Sequence, residues 1–271
     1  ARSERVRTSL PAWQPAVDAV EPPLGARPLD PVRDTVAALR STHVRVPVPV
    51  TEDVLASGAV NDALLAALAV AVASVRGGDV VRVELEGHGR EEQIVPGSDV
   101  ARTVGWFTSM FPVALNLSGI DPGDALAEAA AAHAVRTRVT EALKAVPDNG
   151  IGFGLLHRLA PDPAFDRYRR PQVVFNYLGR MTLGEDTGAP WSGAPEAVAL
   201  GGSVDPATPL DHVLHVDAVV EDTAEGPVLD CEFAAPAEVL DEHTVDLVAR
   251  RWVQALTVAA RIPEPVAPEK E

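Results

Sequence analysis

The sequence predicts an α/β fold in which one sheet is covered by helices. Three observations carry that prediction. Five strand-like segments are interleaved with three long helix-forming runs, the order that stacks helices on a sheet. The chain has 271 residues, of which 46% are apolar, long enough to bury one substantial core or two small ones. No internal repeat divides it into smaller units.

Residues 1–50 are rich in proline and poor in periodic apolar positions, and read as a linker or extension leading into a unit that spans 51–262. VNDALLAALAVAVA, from Val60 to Ala73, is unbroken helix former. Asn61 or Asp62 is placed to cap it and Gly77-Gly78 to stop it, which predicts a buried helix. In VVRVELEG, Val81, Val83 and Leu85 alternate against Arg82, Glu84 and Glu86, the period of a half-buried strand that ends at Glu86. WFTSMFPVALNL predicts a second strand. Asp121-Pro122-Gly123-Asp124 is a turn that caps a helix running to about Lys144, with Leu126, Ala130, Val135, Val139, Leu143 and Val146 along one stripe. PQVVFNYLG, HVLHVDAVVED and PVLDCEFAAP are three further strands, the last two joined by a hairpin turn at DTAEG. A closing helix runs from about Ala237 to Arg261 with Val245, Val248, Trp252 and Ala259 on one face, and residues 263–271 read as a linker tail.

Composition excludes several function classes. The single cysteine, Cys231, leaves no disulfide framework and no Cys-rich metal site, in keeping with a reducing, cytoplasmic compartment. No apolar run approaches the roughly eighteen residues of a membrane span, and ARSERVRTSLPAW has no signal-peptide stretch, so the expectation is a soluble protein without a membrane partner. A formal charge of −16 repels a polyphosphate backbone. The one basic run, Arg167 to Arg170, reads as a solvated turn ahead of a strand, and no nucleic-acid partner is expected.

The sharpest chemical feature is Glu86-Gly87-His88-Gly89-Arg90-Glu91, which gathers acids, an imidazole and a guanidinium around two glycines. Glycines at such spacing let the backbone turn tightly or let a substrate approach, and a glutamate at a strand end is placed to act as a general base. An ordinary polar turn has the same composition, and spacing alone does not separate the two readings. HVLHVDA places His212 and His215 on one strand, pointing to opposite faces, and reads as structure; with no third ligand, no metal is expected.

EGHGRE, followed by RTVGWFTSMFPV (Arg102 to Val113) and later by FNYLGR (Phe175 to Arg180), resembles the motif series of epimerization domains in non-ribosomal peptide synthetases. Supporting similarity covers nearly the whole chain, including VNDALLAAL, GIGFGLLHRL at Gly150 to Leu159, the run from His212 to Val220 and the final helix with Trp252. The resemblance implies one lobe, the carboxy-terminal one, of a chloramphenicol-acetyltransferase-like fold with a mixed sheet covered by helices. It also implies L-to-D inversion at the α-carbon of an aminoacyl or peptidyl thioester. That substrate is carried on the phosphopantetheine arm of a peptidyl carrier protein, with no cofactor bound directly.

In that family a glutamate of EGHGRE and a histidine of HHxxxDG face each other across the α-carbon. Carried over, the glutamate is Glu86; no adjacent histidine pair occurs among the seven histidines, so HHxxxDG is absent. The expectation is therefore half of an epimerization site, inactive until it meets an amino-terminal lobe. His88 is expected to orient Glu86 or the substrate carbonyl, or else to bond to the loop backbone. Trp106 and Phe107 wall the tunnel or fill the core, and Asn176 and Tyr177 border the pocket. Arg90 and Arg102 pair with Glu86 or Asp99, holding Glu86 ionised, or form ordinary surface pairs. Two alternatives remain: a non-catalytic condensation-like module that binds a carrier protein or recruits a partner oxygenase, and a condensation domain that forms peptide bonds.

Overall fold

The computed structural model describes residues 4–94, 97–159, 163–181 and 204–261. Six strands are present among them: β1 (Leu39–Val46), β2 (Val80–Gly87), β3 (Ser109–Asn116), β4 (Val173–Met181), β5 (Leu214–Thr223) and β6 (Gly226–Pro236). They form one sheet in the order β1-β6-β5-β4-β2-β3. β2, β4 and β5 run parallel to one another, while β3, β6 and β1 are antiparallel to their neighbours, so the sheet is mixed. The helices are α1 (Glu4–Thr8), α2 (Leu10–Asp18), α3 (Val48–Ala56), α4 (Val60–Arg76), α5 (Pro122–Ala125), α6 (Ala129–Lys144), α7 (Ile151–Gly154) and α8 (Glu242–Ala259). None of the described helices is long and apolar enough to cross a membrane.

α4, α6 and α8 cover one face of the sheet. The largely apolar α4 is buried from Ala63 to Ala73, because it lies between α6 and α8 with the sheet beneath it. Trp252 of α8 is fully buried, donates its indole N–H to the Leu64 carbonyl at 3.0 Å and meets Phe233 of β6 edge to face at 5.6 Å. Alternation along the strands supplies the other half of the core: Val81, Val83 and Leu85 from β2, Val173 and Phe175 from β4, and Leu214, Val216 and Ala218 from β5.

Several local expectations are corrected. α4 starts at Val60 without a side-chain cap, since Asp62 instead accepts a hydrogen bond from Thr140 and ties α4 to α6. Gly77, at φ 79°, ends it as read. Asp121 caps α5 by accepting from the Gly123 amide at 2.6 Å. The helix then breaks: Glu128 is extended, and the freed Leu126 carbonyl takes a hydrogen bond from Gln254 at 2.9 Å. That break shifts the helical phase, so Ala132 faces the core where Ala130 was expected. α8 begins only at Glu242, where Asp241 accepts from the Thr244 amide at 3.0 Å.

Residues 4–50, read from their prolines as a linker or extension, lie against the lobe over much of their length. Trp13 of α2 is buried against Phe153 at 5.4 Å, and β1 pairs with β6 along its full length. The linker tail assigned to 263–271 lies outside the described residues.

Candidate active site

β2 is not half-buried. Arg82 and Glu84, expected toward solvent, are each 4% exposed because the segment ahead of β4 crosses over them. Arg82 donates to the Arg169 carbonyl, and Glu84 meets His212 Nε2 at 2.7 Å with Arg170 Nε 3.7 Å away. One step of the pleat further on, that cover ends and Glu86 reaches solvent.

Strand register decides what surrounds Glu86. It pairs with Met110 of β3, and its neighbour Leu85 pairs with Phe175, which sets Glu86 beside Asn176 on the face away from α4, α6 and α8. Asn176 pairs with Asp217, Asp217 with Glu232, and Glu232 with His43. A row of polar side chains thus runs from β2 to β1 on the open face. Asn176 hydrogen-bonds to Asp217, and His43 lies 3.7 Å from Glu232. Asp217 was missed in the sequence; its alternation with His215 on β5 was the available signal. The expectation that His212 and His215 share a strand and face apart fails, because β5 starts at Leu214 and the two rings stand 5.7 Å apart.

The electrostatics of Glu86 reverse the expectation of a paired, strongly ionised carboxylate. Among the described residues no hydrogen bond or ion pair engages its side chain. Partial desolvation above the sheet pushes its carboxyl above the ordinary carboxylate range, the charges of Asp217 and Glu84 add to the push, and His212 opposes it. Burial and Glu232 likewise raise Asp217. At this sheet end a cavity of about 400 Å³ opens, bordered by Glu86, Phe111, Asn149, Tyr177 and the start of α4. Tyr177 approaches it from the helix-covered face, where burial raises its phenol and keeps it protonated.

The rest of EGHGRE builds the loop. His88 is largely exposed; its Nδ1 accepts the Arg90 amide at 3.0 Å and its Nε2 lies 3.3 Å from Glu91, so it serves the loop backbone and does not touch Glu86. Arg90 turns away from Glu86 and Asp99. It donates to the carbonyls of Val100 and Thr103 and stacks over the Phe107 ring at 4.3 Å. Glu91 is buried, accepting from Asn149 at 3.0 Å and from Gln93. Gly89, at φ 63°, sits where a Cβ would lie 1.7 Å from the Phe107 carbonyl oxygen: chain, not substrate, makes the close approach. Arg102 is exposed without a salt bridge among the described residues, and Trp106 is 91% exposed, ahead of the start of β3 and in neither core nor cavity wall. Phe107 is half-buried under Arg90. The structure therefore brings together Glu86 and Asn176, sets Tyr177 across the cavity rim, and assigns His88, Arg90 and Phe107 to the clamp on the loop.

Comparison with known proteins agrees with this architecture. A family model described as "Condensation domain" matches residues 56–269. The chain is 34% identical over 201 residues to a linear gramicidin synthase of Brevibacillus parabrevis, covering 73% of this chain and 2% of that protein. It is 40% identical over 163 residues to chondramide synthase cmdD of Chondromyces crocatus, covering 60% of this chain and 4% of that one. Among solved structures, the epimerization domain from the third module of tyrocidine synthetase B superposes with a TM-score of 0.74 at 25% identity, covering 95% of this chain and 56% of that chain. The X-domain from teicoplanin biosynthesis shares the fold, with a TM-score of 0.64 at 17% identity, over 97% of this chain and 56% of that chain.

Proposed function

The chain belongs to the condensation-domain family, and from that premise we propose that it is the carboxy-terminal lobe of an epimerization site acting on a carrier-bound aminoacyl or peptidyl thioester. The observation that carries the reading is Glu86: the acid of EGHGRE left unpaired among the described residues, at an open strand end, with its proton affinity raised toward working pH. A general base is most effective when its pKa approaches the pH at which it operates.

In this reading the thioester reaches the open face on the phosphopantetheine arm of a peptidyl carrier protein. Glu86 takes the α-proton, the Cα–H electron pair passes into an enolate, and a histidine of HHxxxDG on an amino-terminal lobe returns a proton to the opposite face. Asn176, beside Glu86, borders the substrate. Glu91, Arg90 and the two glycines fix the position of the strand end, so that the base meets its proton at hydrogen-bonding distance.

The test is solvent deuterium incorporation at the α-carbon of a carrier-bound aminoacyl thioester, with this chain alone and mixed with a candidate amino-terminal lobe. Exchange confined to the mixture and abolished by Glu86→Gln is the expected result. A complex that forms without exchange removes the catalytic reading and leaves a module that binds a carrier protein or recruits a partner oxygenase. Peptide-bond formation by the mixture assigns it instead to condensation.

A further inference from the structure

The arginine run at 167–170 has no part in the Glu86 site and, as expected, forms a largely exposed turn ahead of β4, although Tyr168 and Arg170 are half-buried. Arg170 is engaged with Asp211 and, at 3.7 Å, with Glu84. Arg167 and Arg169 are exposed, and among the described residues neither has a carboxylate within ion-pair distance. Beneath them lies Arg82, 4% exposed. Its guanidinium donates to the Arg169 carbonyl and stands 5.6 Å over the Tyr168 ring, but among the described residues its Nε has no acceptor and it forms no ion pair. The nearby acids are committed elsewhere, Glu21 to Arg76 at 2.8 Å and Glu84 to His212 at 2.7 Å. Burial pushes the Arg82 guanidinium below its ordinary pKa, partly offset by the charges of Glu21, Tyr168 and Glu84. In a chain of net charge −16, three arginines at one place without an ion pair among the described residues are not explained by solubility.

These arginines border a cavity of about 1040 Å³ between residues 17–29 and the segment ahead of β4. Val17, Val20, Pro23 and Leu29 on one side and Pro171 and Val213 on the other supply its apolar walls; of the acids that also line it, Glu21 is paired with Arg76 and Asp211 with Arg170, while Asp18 accepts from Gln14. Val20 is 89% exposed there. The cavity shares no lining residue with the one at Glu86, and the buried Glu84–His212 pair lies between the two, with Glu84 on β2.

We propose that this cleft is a binding site for an organic phosphate, with the phosphate held by Arg82, Arg167 and Arg169 and an apolar body lying against Val20, Pro23 and Leu29. Guanidinium forks match the oxygens of a phosphate, and three arginines without an ion pair among the described residues, set against Asp18, leave a net of two positive charges that fits a dianion better than a single carboxylate. The apolar wall selects an ester over the free ion.

Isothermal titration of the chain with phenyl phosphate tests this, with inorganic phosphate and phenol as references. Expected is saturable binding of phenyl phosphate, tighter than inorganic phosphate and weakened by salt, with phenol inert. The double variant Arg167→Gln/Arg169→Gln, both positions exposed, retains the melting temperature and loses at least ten-fold in affinity. Absence of saturable heat at millimolar phenyl phosphate, an affinity unchanged in the double variant, or phenol binding as well as its phosphate each overturns the proposal.

Discussion

Replacing Glu91 with alanine tests whether the second acid of EGHGRE is structural. Its carboxylate is buried, accepts from the Asn149 amide at 3.0 Å and from Gln93, and lies 3.3 Å from His88 Nε2. A hydrogen bond to a charged acceptor contributes about 1.5–3 kcal/mol, and a donor left unsatisfied costs a similar amount. Gln93 and His88 recover water when the acceptor goes, whereas Asn149 is held by its turn at φ 50°. The net loss is about 3 kcal/mol, which lowers the melting temperature by about 6–12 °C for a chain of this size. Glu91→Gln keeps one acceptor for Asn149 and is expected to lose about 1 kcal/mol. Thermal denaturation followed by far-ultraviolet circular dichroism measures both, with the exposed Glu225→Ala as a control within about 0.5 kcal/mol of the parent. A Glu91→Ala variant as stable as that control would refute the assignment of Glu91 as the pin between the motif loop and the Asp148–Gly150 turn.

The two tryptophans at opposite extremes of burial separate core from surface. Trp252→Ala is expected to lose about 3–5 kcal/mol in urea denaturation and Trp106→Ala less than about 0.5 kcal/mol. Gly150→Ala places a Cβ 1.8 Å from the Phe111 ring at φ 91°, and is expected to cost about 2–4 kcal/mol by the same assay. His215 titrates at about 4, lowered first by burial and then by His212, so the folded state resists a proton that the unfolded chain accepts at about 6.5. Stability from this group is complete above pH ~6.5 and lost as pH falls toward 4, by about 3 kcal/mol at most; His215→Gln is expected to flatten that limb of the pH profile. Glu86 has the opposite sign: its raised pKa makes the ionised form a liability at neutral pH. Glu86→Gln is therefore expected to melt slightly higher than the parent at pH 7, a gain that disappears below pH ~4.

Periodicity exposed the helix-facing half of the fold because a buried stripe is written in apolar residues. Val81, Val83 and Leu85, or Val245, Val248 and Trp252, have no other explanation. The other half was illegible for the same reason. Arg82 and Glu84 have the composition of a solvent face, and nothing local to VVRVELEG says that a segment some ninety residues away crosses over them. β1 was hidden likewise: LRSTHVRV is mostly polar, and it becomes a strand through its ladder with β6, a contact separated by nearly two hundred residues.

The site shows the same division in sharper form. The motif identified the right loop, but chemical content gave no means of distributing roles within it, and every cation expected to serve Glu86 serves something else or stands in solvent. Arg90 clamps the Val100–Phe107 segment, and His88 and Glu91 brace each other. The consequence is physical. A loop whose donors are consumed by its own backbone leaves its first acid without a counterion, so desolvation and the neighbouring Asp217 act on Glu86 unopposed except by His212. A paired glutamate has its pKa driven down and loses basicity. The same residues, arranged to spend their cations on structure, instead hold Glu86 where a proton is taken up more readily. The loop thereby leaves Glu86 unpaired and more readily protonated, as its proposed role as a base requires.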